Sequence, residues 1–128
     1  MPLFLDLDEA IEIHRDQIAR YGGTPGVRDM GLLQSALAMP QAGSSGQYFH
    51  ADLFEMAAAY LFHIANNHPF VDGNKRVAMA AALTFLELNG LTVEIGSSAA
   101  IQKIVLSVAS GRASKAAVAD FFREHAHA

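Results

Sequence analysis

The chain has 128 residues, 52% apolar and 17% charged, with nine basic against thirteen acidic side chains and a net charge of −4. That length supports one apolar core, and so a single domain over residues 1–128, while the composition excludes a disordered chain. The acidic balance excludes a surface built to follow a nucleic-acid backbone by counterion release, so any basic chemistry must be local.

There is no cysteine, which rules out a disulfide framework and a thiolate zinc site and fits a reducing cytosol. The opening Met-Pro-Leu-Phe-Leu-Asp lacks a basic segment followed by a long apolar run, so no secretory signal is expected. Met56–Ala65 is interrupted by His63, and Val77–Leu86 stays well short of the roughly 20 residues that span a bilayer. The expectation is a cytoplasmic protein with no membrane and no nucleic-acid partner, and with some apolar surface left for another protein.

In chain order, the first helix is expected to begin at Asp6, where Asp-x-x-Glu with Glu9 resembles a capping box and Leu7, Ala10, Ile11 and Ile18 follow on one face. It ends at Gly22-Gly23, and the stretch from Arg20 to Asp29 holds three glycines and a proline that cannot be regular helix. Gly31 to Met39 reads as a short helix stopped by Pro40. Gln41 to Phe49 contains Gly43-Ser44-Ser45-Gly46, the composition of a loop that moves over a site, and is the candidate flap. Leu53, Met56, Ala57, Tyr60, Leu61 and Ile64 recur at helical spacing, which predicts a buried helix over Asp52–Asn66.

Asn74 to Asn89 is rich in Ala and Leu and apolar on every face except its ends, which predicts the central buried helix, with Gly90 as its stop. Leu91–Ile95 is a short β-branched run, expected as an extended connector or a small hairpin edge. Ser98–Ser110 and Ser114–His125 read as two closing helices separated by Gly111, each with a serine N-cap. The fold class is all-α, a bundle of about six helices.

The chemistry concentrates at His68-Pro69-Phe70-Val71-Asp72-Gly73-Asn74-Lys75-Arg76. Two cations stand in the first turn of a helix, against its macrodipole, at about 0.3–1 kcal/mol each when exposed. A bound phosphate would resolve the conflict, because free N–H groups, the dipole and both side chains would converge on one polyanion. Asp72 sits where a carboxylate could hold Mg²⁺, and His68 is the available general base. The same residues also fit a purely structural reading: Asp72-Gly73 as a turn and N-cap, Lys75 and Arg76 as a solvated first turn, His68 as a satisfied histidine. The segment lacks Walker A spacing.

The segment resembles the motif of the Fic/Doc family, His-x-Phe-x-Asp/Asn-Ala/Gly-Asn-Lys-Arg, each fixed position being met by His68, Phe70, Asp72, Gly73, Asn74, Lys75 and Arg76. The resemblance covers most of the chain: Arg20-Tyr21-Gly22-Gly23 with Gly26 and Asp29, then Asp52-Leu53-Phe54-Glu55, then Asn89-Gly90, fall where Doc-type toxins of toxin–antitoxin pairs have them. It implies a Fic/Doc-type helical bundle with ATP and Mg²⁺ as cofactors. By the same resemblance His68 is the catalytic base, Asp72 the metal ligand, and Gly73, Asn74, Lys75 and Arg76 the phosphate anchors, while Phe70 is a core wedge and the flap aligns the target.

Most of the family transfers AMP with a Gly-Asn-Gly-Arg motif and a second arginine three residues on; here those positions are Lys75 and Met79, the Doc pattern. Doc-type proteins resemble kinases that bind ATP in an inverted sense and pass its γ-phosphate to a threonine of elongation factor Tu, stopping translation. AMP transfer, or a non-catalytic nucleotide- or antitoxin-binding module, are the alternatives. The Ser/Thr-x-x-x-Glu-Gly/Asn signature of self-inhibited relatives is missing, Thr84 and Glu87 being three apart. Control is then expected in trans from a Phd-like antitoxin whose partly disordered tail folds onto this surface.

The other histidines read as structural. His14 shares the apolar face of the first helix and is expected as a buried, hydrogen-bonded residue. His63 and His68 lack the i, i+4 spacing of a zinc helix, His125 and His127 are expected in a solvated tail, and His50 borders the flap. Tyr21 and Arg28 flank the glycine-rich connector, either as packing residues or as contacts for the antitoxin or target.

Overall fold

The computed structural model describes residues 1–94 and 98–128, without the side chain of Ser98. Helix α1, Leu7–Tyr21, opens on the expected capping box: Glu9 N–H donates to the Asp6 carboxylate at 2.8 Å and Asp6 N–H to the Glu9 carboxylate at 3.0 Å. Helix α2, Met30–Ala38, is capped by Asp29. The α-helix stops just before Pro40 as expected, and Pro40 sits buried at the start of one 3-10 turn, Met39–Gln41, where a missing N–H leaves no bond unmade.

The candidate flap is a formed hairpin rather than an irregular loop. Strand β1, Gly43–Ser44, pairs antiparallel with β2, Gln47–Tyr48, and Phe49 N–H closes the base on the Ala42 carbonyl at 2.9 Å. Ser45 and Gly46 both have positive φ, 54° and 80°, as a two-residue type I′ turn requires.

Helices α3, Leu53–Asn67, and α4, Asn74–Leu88, form the middle of the bundle. No residue of α4 from Arg76 to Leu86 is exposed, as the all-round apolar pattern predicts. Helix α3 shares that position and packs against α2, α4, the 3-10 turn, α5 (Ser98–Ala109) and α6 (Lys115–His125). Alanines at 57, 58, 59, 65, 78, 81 and 82 let the helices approach closely, and Tyr60, Phe70, Phe85 and Phe122 fill the space between them. The Tyr60 hydroxyl accepts Leu5 N–H at 2.9 Å, and burial pushes its pKa up to about 12.

The run after Gly90 does make a strand pair. Strand β3, Thr92–Val93, pairs antiparallel with β4, Ala126–His127, so the C-terminal residues expected as a solvated tail return to the body. His125 hydrogen-bonds through Nδ1 to the Phe121 carbonyl at 2.8 Å and stacks on that ring, while His127 is exposed. Ile95 and the serine cap expected for α5 lie outside the described residues. Ser114 caps α6 as expected, accepting Ala117 N–H. No described helix is long and apolar enough to cross a membrane.

Candidate functional site

Helix α3 ends on His68, whose backbone is left-handed (φ 49°, ψ 54°), a conformation in which histidine is enriched several-fold among non-glycine residues. Arg28 holds that end: its Nε donates to the His68 carbonyl at 2.7 Å and a terminal nitrogen to the Asn67 carbonyl at 3.0 Å. A guanidinium on the last carbonyls of a helix satisfies both the hydrogen bonds and the dipole. The connector also pairs with the motif loop, because Arg28 and Asp29 N–H donate to the Pro69 carbonyl and Val71 N–H to the Gly26 carbonyl.

Below this ribbon Phe70 is 1% exposed, a core wedge as expected. Its ring lies parallel to that of His14, with centroids 4.0 Å apart, and His14 hydrogen-bonds through Nε2 to the Asp72 carbonyl at 2.9 Å. The side chain of Asp72 accepts Gly73 N–H on one oxygen at 2.8 Å and Thr24 N–H on the other at 3.1 Å. These two backbone donors, with Arg76 and His14 adding less, hold its carboxyl below the usual carboxylate range, so it is ionised at neutral pH.

Helix α4 begins with Gly73 as N-cap at φ 75° and with no side chain closing its end. The first intrahelical bond is Val77 N–H to the Gly73 carbonyl. That leaves the N–H groups of Asn74, Lys75 and Arg76 as the orphan donors of an open helix N-terminus. A cleft of about 360 Å³ brings together His68, Val71, Asp72, Gly73, Asn74, Lys75 and Arg76.

Two of the expected phosphate anchors spend their side chains elsewhere. Asn74 makes a reciprocal pair with Phe70, accepting its N–H at 2.9 Å and donating to its carbonyl at 3.0 Å, so the amide shapes the loop. Arg76 donates to the Gly22 carbonyl at 2.8 Å and reaches the Gln17 carbonyl at 3.5 Å, with its guanidinium carbon 5.9 Å from the Tyr21 ring centroid. The C-terminal carbonyls of α1 therefore supply part of the negative potential that the sequence reading assigned wholly to a ligand. Lys75 is exposed and, among the described residues, makes no ion pair.

Sequence reasoning did not bring Gly23, Thr24 or Arg28 to the loop; it expected His14 as a buried, hydrogen-bonded histidine, as observed, but did not name the Asp72 carbonyl as its partner. A Cβ on Gly23 would stand 2.8 Å from Asp72 Oδ2 and 3.2 Å from an Arg76 terminal nitrogen, so the connector approaches the carboxylate as closely as glycine allows. His50 and His63 lie elsewhere: the Lys115 ammonium donates to their Nε2 atoms at 3.2 and 3.0 Å.

With its helical architecture and this loop, the chain belongs to the Fic/Doc family, whose model, described as Fic/DOC family, matches residues 4–86. The match takes in α1 to α3, the motif loop and α4 as far as Leu86. The chain is 38% identical over 116 residues, 91% of its own length and 90% of the relative's, to a protein of Escherichia phage P1 named Protein kinase doc. It is 52% identical over 71 residues, 56% of its length and 55% of the relative's, to a protein of Mycolicibacterium smegmatis named Toxin Doc.

Proposed function

We propose that this chain is a Doc-type toxin acting as a protein kinase, which carries the γ-phosphate of ATP to a threonine hydroxyl of elongation factor Tu. The carrying observation is the cleft that His68, the ionised Asp72, Lys75 and the open N-terminus of α4 line together. The similarity to proteins named Protein kinase doc and Toxin Doc supports the same reading.

His68, exposed at the rim, takes the proton of the target hydroxyl. The hydroxyl oxygen then bonds to the γ-phosphorus, the bond from that phosphorus to the β,γ-bridging oxygen breaks, and ADP leaves. The N–H groups of Asn74, Lys75 and Arg76, with the Lys75 ammonium, hold the phosphates and offset their charge; the Arg76 guanidinium contributes from its anchored position on α1. The exposed, ionised Asp72 carboxylate fits a magnesium ion held as its one protein ligand, as Mg²⁺ commonly binds through one or two carboxylates plus phosphates and water; among the described residues no cluster of three metal-binding side chains exists. Mg²⁺ would neutralise charge that develops on the phosphate oxygens. We assign an antitoxin as the partner, which the similarity to a protein named Toxin Doc supports.

The test is incubation of elongation factor Tu with the protein, ATP and Mg²⁺, followed by peptide mass analysis. The expected product is one threonine peptide heavier by one phosphate group, absent with His68→Ala or Asp72→Asn. An AMP-sized addition would instead assign nucleotidyl transfer, and nucleotide binding without any modified peptide would leave a binding module.

A further inference from the structure

Apart from the Tyr60 hydroxyl, His14 is the one buried polar side chain among the described residues, 4% exposed on a face of α1 that otherwise meets the core with Leu7, Ala10 and Ile11. An apolar side chain would fill that face without the cost of desolvating an imidazole, a cost offset only when a hydrogen bond is made. The bond His14 makes is to the motif loop, 58 residues away, and its ring lies flat on Phe70 of the same loop. A carbonyl only accepts, so His14 carries its proton on Nε2.

We infer that His14 is a positioning residue for the Asp72 carboxylate, acting through the orientation of the Asp72–Gly73 peptide. In a trans peptide the carbonyl and the following N–H point in opposite directions. With the Asp72 carbonyl held inward by His14, Gly73 N–H is directed away from α1, where it meets Asp72 Oδ1 at 2.8 Å. Thr24 N–H fixes the second oxygen at 3.1 Å. The carboxylate rotamer therefore depends on the peptide orientation, and that orientation on the imidazole. Glycine on one side of this peptide makes its rotation easy, so without an inward partner the plane can turn and withdraw Gly73 N–H from the carboxylate. Phe70 supplies the flat surface that keeps the imidazole edge pointed at the carbonyl.

The inference rests on the proposed function only in taking Asp72 as the cation-binding carboxylate; the positional effect itself does not depend on which group is transferred. His14→Phe keeps a flat ring against Phe70 and removes the donor, while His14→Gln restores a donor without the ring. In His14→Phe, amide hydrogen exchange at Gly73 and Thr24 is expected to accelerate about tenfold or more, with α3 and α6 amides unchanged. Mn²⁺ binding in the presence of a non-hydrolysable ATP analogue, followed by the Mn²⁺ spin signal, is expected to weaken about tenfold to a hundredfold, the usual effect of losing a partner that orients a metal ligand. Turnover falls with KM for the protein target unchanged, and His14→Gln recovers part of both losses.

Wild-type exchange at Gly73 together with wild-type Mn²⁺ affinity in His14→Phe would overturn the inference and leave a packing histidine. Should His14→Phe lose protection throughout α3 and α6, His14→Gln decides: it must retain slower Gly73 exchange than His14→Ala, and equal exchange in those two overturns the inference. Altered exchange and cation affinity in a protein that transfers no phosphate would uphold His14 while refuting the kinase reading.

Discussion

Asp72 receives its two hydrogen bonds from backbone N–H groups that lie 48 residues apart in one case and adjacent in the other, and Gly23 is what lets the distant segment come so near. Gly23→Ala would place a Cβ 2.8 Å from the carboxylate at a backbone φ of 119° that alanine resists. Displacing a reacting group by an ångström can cost about a hundredfold in rate, and a loss of that order in turnover is the expected outcome of a steady-state assay of Gly23→Ala. Asn74→Ala removes two hydrogen bonds to the Phe70 backbone, and urea unfolding should show a loss of about 1–2 kcal/mol, the usual range for such bonds when a partner is left unmet. At this scale the sequence was legible where the chemistry is contiguous: His68, Asp72, Gly73 and Lys75 meet in one cleft. Asn74 and Arg76 line the same cleft, but the direction of their side chains, toward Phe70, Gly22 and Gln17, was not legible. Composition says which groups a side chain can offer, but the nearest backbone carbonyls decide where those groups go.

Among the elements, the helix starts at Asp6 and Ser114 were readable as caps, since each accepts a first-turn N–H three residues on; Asp29 and Asp52 do the same, though neither was expected as a cap. The β1–β2 hairpin was not expected, and β3, expected as an extended connector or a hairpin edge, was left without its partner β4. Ser45-Gly46 is not one of the strong turn dipeptides, and the partner of Thr92–Val93 lies at the far end of the chain. Helix α6 docks on α3 partly through Lys115, whose ammonium bridges His50 and His63 at their Nε2 atoms and lies 5.8 Å from the Phe62 ring centroid. An ammonium can only donate, so both imidazoles are neutral. Burial first, then Lys115 and then His50, push His63 down to about 4; burial and Lys115 lower His50 too, against the opposing pull of Glu55. Between the ordinary histidine value near 6.5 and about 4 the unfolded chain binds more protons than the folded one, so stability falls as pH falls through that window. After allowance for solvent screening at a half-buried site, the His63 contribution is of order 1–2 kcal/mol. Urea midpoints measured at pH 7, 6 and 5 should fall accordingly, and His63→Gln should flatten the decline.

At the scale of the whole molecule, two consecutive segments meet a loop 40 or more residues further along the chain. Helix α1 brings His14, the connector brings Gly23, Thr24 and Arg28, and the α3–α4 turn brings the motif itself. The all-α class was readable because α3 and α4 are apolar nearly all round, and helices of that kind must be enclosed by others. Side-chain traffic between the connector and the loop was not readable, since no local pattern records a contact across 40 residues or more. Tyr21 and Val71 remain exposed beside the cleft, at 66% and 51%, and give the proposed target or antitoxin an apolar rim to meet.

In the proposed reaction this cleft moves the terminal phosphate of ATP, with His68 as base. The reaction is tested most directly by giving the protein and elongation factor Tu ATP labelled either on its γ-phosphate or on its α-phosphate, beside His68→Ala. Only the γ label is expected to enter the target, and His68→Ala to abolish its entry. Entry of the α label, or γ labelling that persists undiminished in His68→Ala, would contradict the proposed reaction.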